Sequence, residues 1–187
     1  MENIIKQMLS PKRFEHSIGV AKTAECLAKK YGEVPEKAYL AGVAHDIAKE
    51  LPKDKFFELC KKGNIELDPV EIANPALLHG PAGSVLIKDY GIDDEDIINA
   101  VRYHTVGREH MSRLEKIIYL ADMIEPARSF REVDELRELA EHSLDLAVQK
   151  TVGYIIRLNM ERGSLIHENS IKLWNEMVNE YRKAKII

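Results

Sequence analysis

Ser112-Arg113-Leu114-Glu115-Lys116-Ile117-Ile118-Tyr119-Leu120-Ala121-Asp122-Met123-Ile124 opens with a Ser-x-x-Glu capping box and then places apolar residues three and four apart, at Leu114, Ile117, Ile118, Ala121 and Ile124. That is the period of a helix burying one face. Asp122 follows Ile118 by four residues and so shares the buried face, where a carboxylate without a partner is expensive. It needs a cation.

The same period recurs along the chain, as in Ile18, Ala21, Ala24, Leu27 and Tyr31, whereas no stretch shows a comparable strand alternation. Asp68-Pro69-Val70-Glu71 reads as a second capping box, Gly63 and Gly91 as helix stops, and Asp93-Asp94-Glu95-Asp96 as the acidic first turn of another helix. The spacing predicts an all-α protein with helices near 13–31, 35–48, 53–62, 69–73, 76–90 (broken by Gly80-Pro81), 94–104, 112–125, 132–141, 143–161 and 168–183. The last of these carry Val148, Val152, Ile155 and Leu158, then Ile171, Trp174, Val178 and Tyr181. They read as core cover or as a homodimer face.

At 187 residues, 45% hydrophobic and 31% charged, with no Pro-, Gly- or Ser-rich tract, the composition is that of one globular domain spanning 1–187. Cys26 and Cys60 are too few and too far apart for a disulfide framework or a thiolate metal cluster. The start Met1-Glu2-Asn3-Ile4-Ile5-Lys6 lacks a signal-peptide pattern and no run approaches a membrane span, so a cytoplasmic protein without membrane association is expected. Net charge is +3 over residues 1–62, −9 over 63–141 and +2 over 142–187. Without a polybasic stripe, a grip on polymeric nucleic acid is disfavoured.

Asp122 has company. Ala44-His45-Asp46-Ile47-Ala48-Lys49 sets a His-Asp pair at the end of an apolar helical stretch, and adjacent helical residues point about 100° apart. Both can face one ion only if the helix end looks straight into the site. The dipeptide alone reads more readily as an ordinary helix end. His104 comes three residues after Val101 and seven after Ile97, pointing inward; His79 precedes Gly80-Pro81; His16 flanks the apolar stripe of the first long helix. His110, His142 and His167 sit in more polar surroundings. Four histidines and two aspartates in the order His16, His45-Asp46, His79, His104, Asp122 form a ligand set without thiolate, suited to iron, manganese, zinc or magnesium. Lys49, three residues after Asp46, reads as a phosphate contact or a surface lysine. Thr105-Val106-Gly107 reads as a phosphate- or ribose-binding loop or a simple connector.

This pattern resembles the HD-domain metal-dependent phosphohydrolase superfamily, a fold of helical bundles with ligands on several helices. The finer resemblance is to the YqeK-type HD proteins. It rests on Arg13-Phe14-Glu15-His16, His45-Asp46-Ile47-Ala48-Lys49-Glu50, Leu78-His79-Gly80-Pro81, His104-Thr105-Val106-Gly107 and Tyr119-Leu120-Ala121-Asp122-Met123-Ile124-Glu125-Pro126-Ala127-Arg128. The resemblance implies a metal-binding core over about 13–130, with helices 132–187 packing on it. It implies a dinuclear, iron-containing centre: His16, His45, Asp46 and Asp122 hold one ion, and Asp46 bridges to a second held by His79 and His104. Asp46, Lys49 and His79 would take part in the chemistry. His16, Lys49, His79, His104, Thr105, Arg128 and, as a second choice, Arg131 would meet the substrate. The implied reaction is symmetrical hydrolysis of diadenosine tetraphosphate to two ADP by a metal-activated hydroxide. Alternatives are an HD hydrolase of another nucleotide, a non-catalytic nucleotide sensor, and a helical scaffold whose histidines only pack. Glu125 has no assigned role.

Overall fold

The computed structural model describes residues 1–186, with side chains described through Arg182; Ile187, the end of the expected domain span, lies outside. Among the described residues there is no strand, and no helix is long and apolar enough to cross a membrane. The α-helices are α1 (Glu2–Met8), α2 (Pro11–Tyr31), α3 (Pro35–Ala44), α4 (Lys53–Lys62), α5 (Pro69–Ala73), α6 (His79–Leu86), α7 (Glu95–Tyr103), α8 (Arg113–Ile124), α9 (Val133–His142), α10 (Leu144–Glu161) and α11 (Glu168–Ile186).

Capping chemistry starts several of them where the sequence says it should. The Ser112 hydroxyl accepts from the Glu115 amide while the Glu115 carboxylate accepts from the Ser112 amide, and Asp68 and Glu71 do the same for α5. Asp94 accepts from the amides of Asp96 and Ile97 to open α7, so the acidic run is a helix cap. Gly91, at φ 79°, provides the left-handed stop expected of it.

Three expectations need correction. The helices expected to begin at residue 13 are preceded by α1, whose two turns are too short to show a period; its fully buried Ile5 docks it on α2 and α3. The helix expected over 35–48 ends at Ala44, and the chain continues through tighter turns in which Ile47, Lys49 and Leu51 donate to the carbonyls three residues back. Three residues per turn eclipse positions i and i+3, which stacks Lys49 over Asp46 while Ile47 and Ala48 stay in the core. The third correction concerns Gly80-Pro81, where no break occurs. A 3₁₀ turn over Pro75–Leu78 leads into α6, and Pro81 is its third residue, where a missing amide hydrogen forfeits no intrahelical bond.

Helix α2 lies along α3 and α8; α7 packs on α3, α6 and α8; α4 covers α6; and α10 covers α8 while carrying α9 and α11. The contact surfaces are made by Val20, Ala21, Ala24, Ala41, Ile47, Val101, Ile117, Ile118, Leu120 and Val148, all nearly or fully buried. This arrangement brings the C-terminal ends of α3, α7 and α8 to one place. Helix C-termini carry partial negative charge, and three of them outweigh the N-terminus of α6 that meets them there, so the convergence favours a cation before any side chain is counted.

Candidate active site

His45 and His104 are the residues that end α3 and α7, Asp122 lies in the last turn of α8, His79 begins α6, and His16 projects from the second turn of α2. All converge on Asp46, whose side chain is 3% exposed. Its two oxygens face different partners. Oδ2 lies 3.5 Å from His45 Nε2 and 3.9 Å from His16 Nε2, and these two nitrogens are 3.9 and 3.0 Å from Asp122 Oδ1. Oδ1 lies 3.1 Å from His79 Nε2 and 3.6 Å from His104 Nε2, which are 3.0 Å from each other. The structure thus gathers all six residues singled out as ligands.

Every one of the four imidazoles presents Nε2 to the cluster because Nδ1 is tied elsewhere. His45, His79 and His104 direct Nδ1–H to the carbonyls of Gly42, Ala76 and Val101, at 2.7, 2.6 and 2.7 Å. Each acceptor is three residues back, a bond that the turn geometry itself supplies. His16 is the exception. Its Nδ1 lies 3.0 Å from the Glu125 carboxylate, buried at 3% exposure and also accepting from the Ala127 amide.

Charge and burial compete within the cluster. Burial alone pushes a carboxyl pKa up, yet the neighbouring His45, His104 and His79 hold Asp46 well below its ordinary value. Asp122 is likewise held down, with burial outweighed by the adjacent His16 imidazole and by His45, Arg128 and His104. Burial pushes His104 down to about 4. For His45, burial acts in the same direction but is overcome by Asp46 and Asp122, so its pKa rises. Lys49 is lowered, chiefly by burial, with Asp46 and Asp122 opposing and Arg13 and Arg128 adding to the effect.

The donor set fits a divalent ion. His16 Nε2, His45 Nε2 and Asp46 Oδ1 are buried and lack a hydrogen-bond partner, an arrangement that costs about 1–3 kcal/mol per atom unless a ligand compensates. His16, His45 and Asp122, and separately His45, Asp46 and His104, place one donor atom each within 4.8 Å of one another. Nitrogen and oxygen donors without sulfur suit iron, manganese or zinc.

Cations ring the cluster. Arg13 donates to Asp46 Oδ2 at 2.8 Å, and Arg128 bonds both the backbone carbonyl, at 2.7 Å, and the carboxylate of Asp122. Lys49 Nζ stands 3.0 Å from His79 Nε2 and 3.8 Å from Asp46 Oδ1. Thr105 Oγ1 is 3.1 Å from His104 Nε2 and 3.3 Å from His79 Nε2. Arg131 is not brought here: it lines a separate groove of about 910 Å³ with Tyr154 and Trp174. Sequence reasoning missed Arg13 as a contact and left Glu125 unplaced. Arg13 is three residues before His16 and thus one turn away on the same face, a signal that was readable; Glu125 meets His16 across 109 residues of chain, which no local pattern reveals. The remaining histidines stay outside, His110 exposed on Glu176 and His142 at the end of α9. His167, expected in polar surroundings, is buried with Nε2 3.7 Å from Glu71.

Residues 13–127, which include every member of the cluster, match the model of the HD domain family. The chain is 37% identical to the symmetrical bis(5'-nucleosyl)-tetraphosphatase of Bacillus subtilis, over 94% of each chain. It is 36% identical to the protein of the same name from Staphylococcus aureus, over 83% of this chain and 84% of the other. The crystal structure of a predicted HD superfamily hydrolase involved in NAD metabolism from Clostridium acetobutylicum superposes with a TM-score of 0.93 at 44% identity, covering 96% of this chain and 95% of that one. A helical bundle whose His and Asp side chains meet at helix ends, with the likeness covering nearly the whole chain, places the protein in the HD domain family.

Proposed function

We propose that the protein is a metal-dependent hydrolase that cleaves dinucleoside tetraphosphates symmetrically, diadenosine tetraphosphate and water giving two ADP. The observation that carries the reading is the division of Asp46, one oxygen facing His16 and His45 and the other facing His79 and His104. A carboxylate so placed suits two cations held close together, His16, His45, Asp46 and Asp122 taking one and Asp46, His79 and His104 the other. Iron is the ion we favour. When bound, such ions polarise phosphoryl oxygens and lower the pKa of water. The near full-length likeness to proteins named symmetrical bis(5'-nucleosyl)-tetraphosphatase supports the substrate.

The chain's own residues do the rest. Arg13 and Arg128 turn planar guanidiniums toward the cluster, and such forks pair bidentately with phosphate oxygens. Lys49, its charge half withdrawn from solvent, adds a point cation beside His79, and the Thr105 hydroxyl offers a neutral donor on the same side. The leaving group at the central anhydride is a nucleoside diphosphate, stable as an anion, so charge neutralisation matters more than a general acid. Glu125, the buried carboxylate nearest the cluster outside the ligand set, is committed to His16 and the Ala127 amide and is not free to act as one.

Metal-loaded protein incubated with diadenosine tetraphosphate should yield ADP as the sole nucleotide by chromatography. Release of AMP with ATP, or no turnover while a mononucleotide is consumed, would overturn the assignment. Asp46→Ala should abolish turnover together with metal retention; a nucleotide sensor would keep its ligand response.

A further inference from the structure

A central cut of a dinucleoside tetraphosphate leaves two phosphates, a ribose and a base on each side of the broken bond, so a productive site must seat a nucleoside diphosphate beside the cluster. One cavity of about 670 Å³ has His16 of the cluster in its wall together with Arg13, Arg128, Ser129 and Phe130. Its wall combines groups that suit the ligand's parts: two guanidiniums in contact with the cluster's carboxylates, a hydroxyl and an aromatic ring.

Phe130 is half-buried in the segment between α8 and α9. Its ring stacks on Tyr154 of α10, with centroids 4.9 Å apart and planes 20° from parallel, and Arg157 lies over Tyr154 at 5.7 Å. A ring held by a neighbour loses little freedom when a base is laid on it, so stacking is pre-organised. The larger groove lined by Tyr154 and Trp174 has none of the six cluster residues in its wall. There Arg157 is paired with Glu132 and Lys150 with Glu135, each at 2.7 Å.

We propose that the cavity from His16 to Phe130 holds one nucleoside diphosphate half of the substrate, with the Phe130 ring, backed by Tyr154, as the platform for its base. The proposal rests on the tetraphosphatase reading but is tested on product binding, which needs no turnover. Its rival is that Phe130 merely clamps the segment bearing Arg128 onto α10.

Titration calorimetry with the metal-loaded protein separates them, using ADP and inorganic pyrophosphate as probes. Phe130→Leu keeps apolar bulk against Tyr154 but removes the π face, and Phe130→Tyr restores it. ADP affinity should fall about tenfold in Phe130→Leu and recover in Phe130→Tyr, in line with the worth of one base–aromatic stack. Pyrophosphate affinity should stay within about twofold in both. Parallel loss of ADP and pyrophosphate affinity in Phe130→Leu identifies a clamp and overturns the proposal. So does unchanged ADP affinity, or wild-type protein that binds ADP no tighter than pyrophosphate. Failure of the tetraphosphatase reading would show elsewhere, in the products of diadenosine tetraphosphate.

Discussion

His16 differs from the other three imidazoles of the cluster in what stands behind it. A backbone carbonyl fixes the tautomer and ring plane of His45, His79 and His104, whereas the Glu125 carboxylate does so for His16 and adds a negative charge behind the ring, at Nδ1. Such outer carboxylates raise ligand basicity, and their loss costs about 10–100-fold in metal affinity. Glu125→Gln can still accept from His16 but carries no charge; it should weaken metal binding within that range, and Glu125→Ala should weaken it further. Competition with a chromogenic chelator measures both, and affinities equal to wild type would show that Glu125 only packs. The residues legible in the sequence were those whose neighbours betrayed them, such as Asp122 on the apolar face of α8 and His104 following Val101. Glu125 follows Ile124 at a helix end and looks like any C-terminal polar residue until the tertiary fold supplies His16.

The helices can place their end residues so closely because two glycines let backbones touch. A Cβ on Gly42 would lie 2.6 Å from Ala21 Cα, where α3 crosses α2, and one on Gly80 would lie 2.7 Å from the Arg102 carbonyl oxygen, where α6 meets α7. Both obstacles are backbone, so an added methyl must separate the helices. Overpacking of this kind costs about 1–3 kcal/mol. Gly42→Ala should therefore lower the midpoint of thermal unfolding and also impair metal retention, since Gly42 O holds the His45 ring. Gly80→Ala should act on the His79 and His104 pair in the same way. Unaltered melting and metal content in both variants would refute the close-approach account. Helix identities were readable because capping boxes and apolar periods are local; the tight turns after Ala44 were not. Those turns exist to bury Ile47 while facing Asp46 and Lys49 to one side, a compromise with the tertiary core that Ala44-His45-Asp46-Ile47-Ala48 also satisfies on paper as a plain helix.

Across the molecule, the all-helical fold and the order of the ligands were legible, but the electrostatic state of the assembled cluster emerges only from the packing of five helices around it. That state predicts how the metal-free protein responds to pH. His104 has a folded pKa near 4, below its ordinary 6.5, so between those values the unfolded chain binds more protons and stability falls as pH is lowered. His45 has the opposite sign. Its raised pKa contributes stability that is fully present below 6.5 and is lost as pH climbs through the folded value. Asp46 and Asp122, both held below 3.8, contribute stability above that value and lose it only in stronger acid. Stability of the metal-free protein should therefore peak near pH 6.5 and decline on both sides. Metal binding displaces the proton that His45 carries below its raised pKa, so affinity should rise with pH until that value is passed. An ion present at about 100 times its dissociation constant adds about 2.7 kcal/mol. Melting of chelator-treated and metal-loaded protein should consequently diverge as pH rises, with the chelator-treated protein losing stability above the peak while the loaded protein holds. Curves that remain parallel from acid to alkaline pH would mean that no ligand proton is released and that His45 enters the site already neutral.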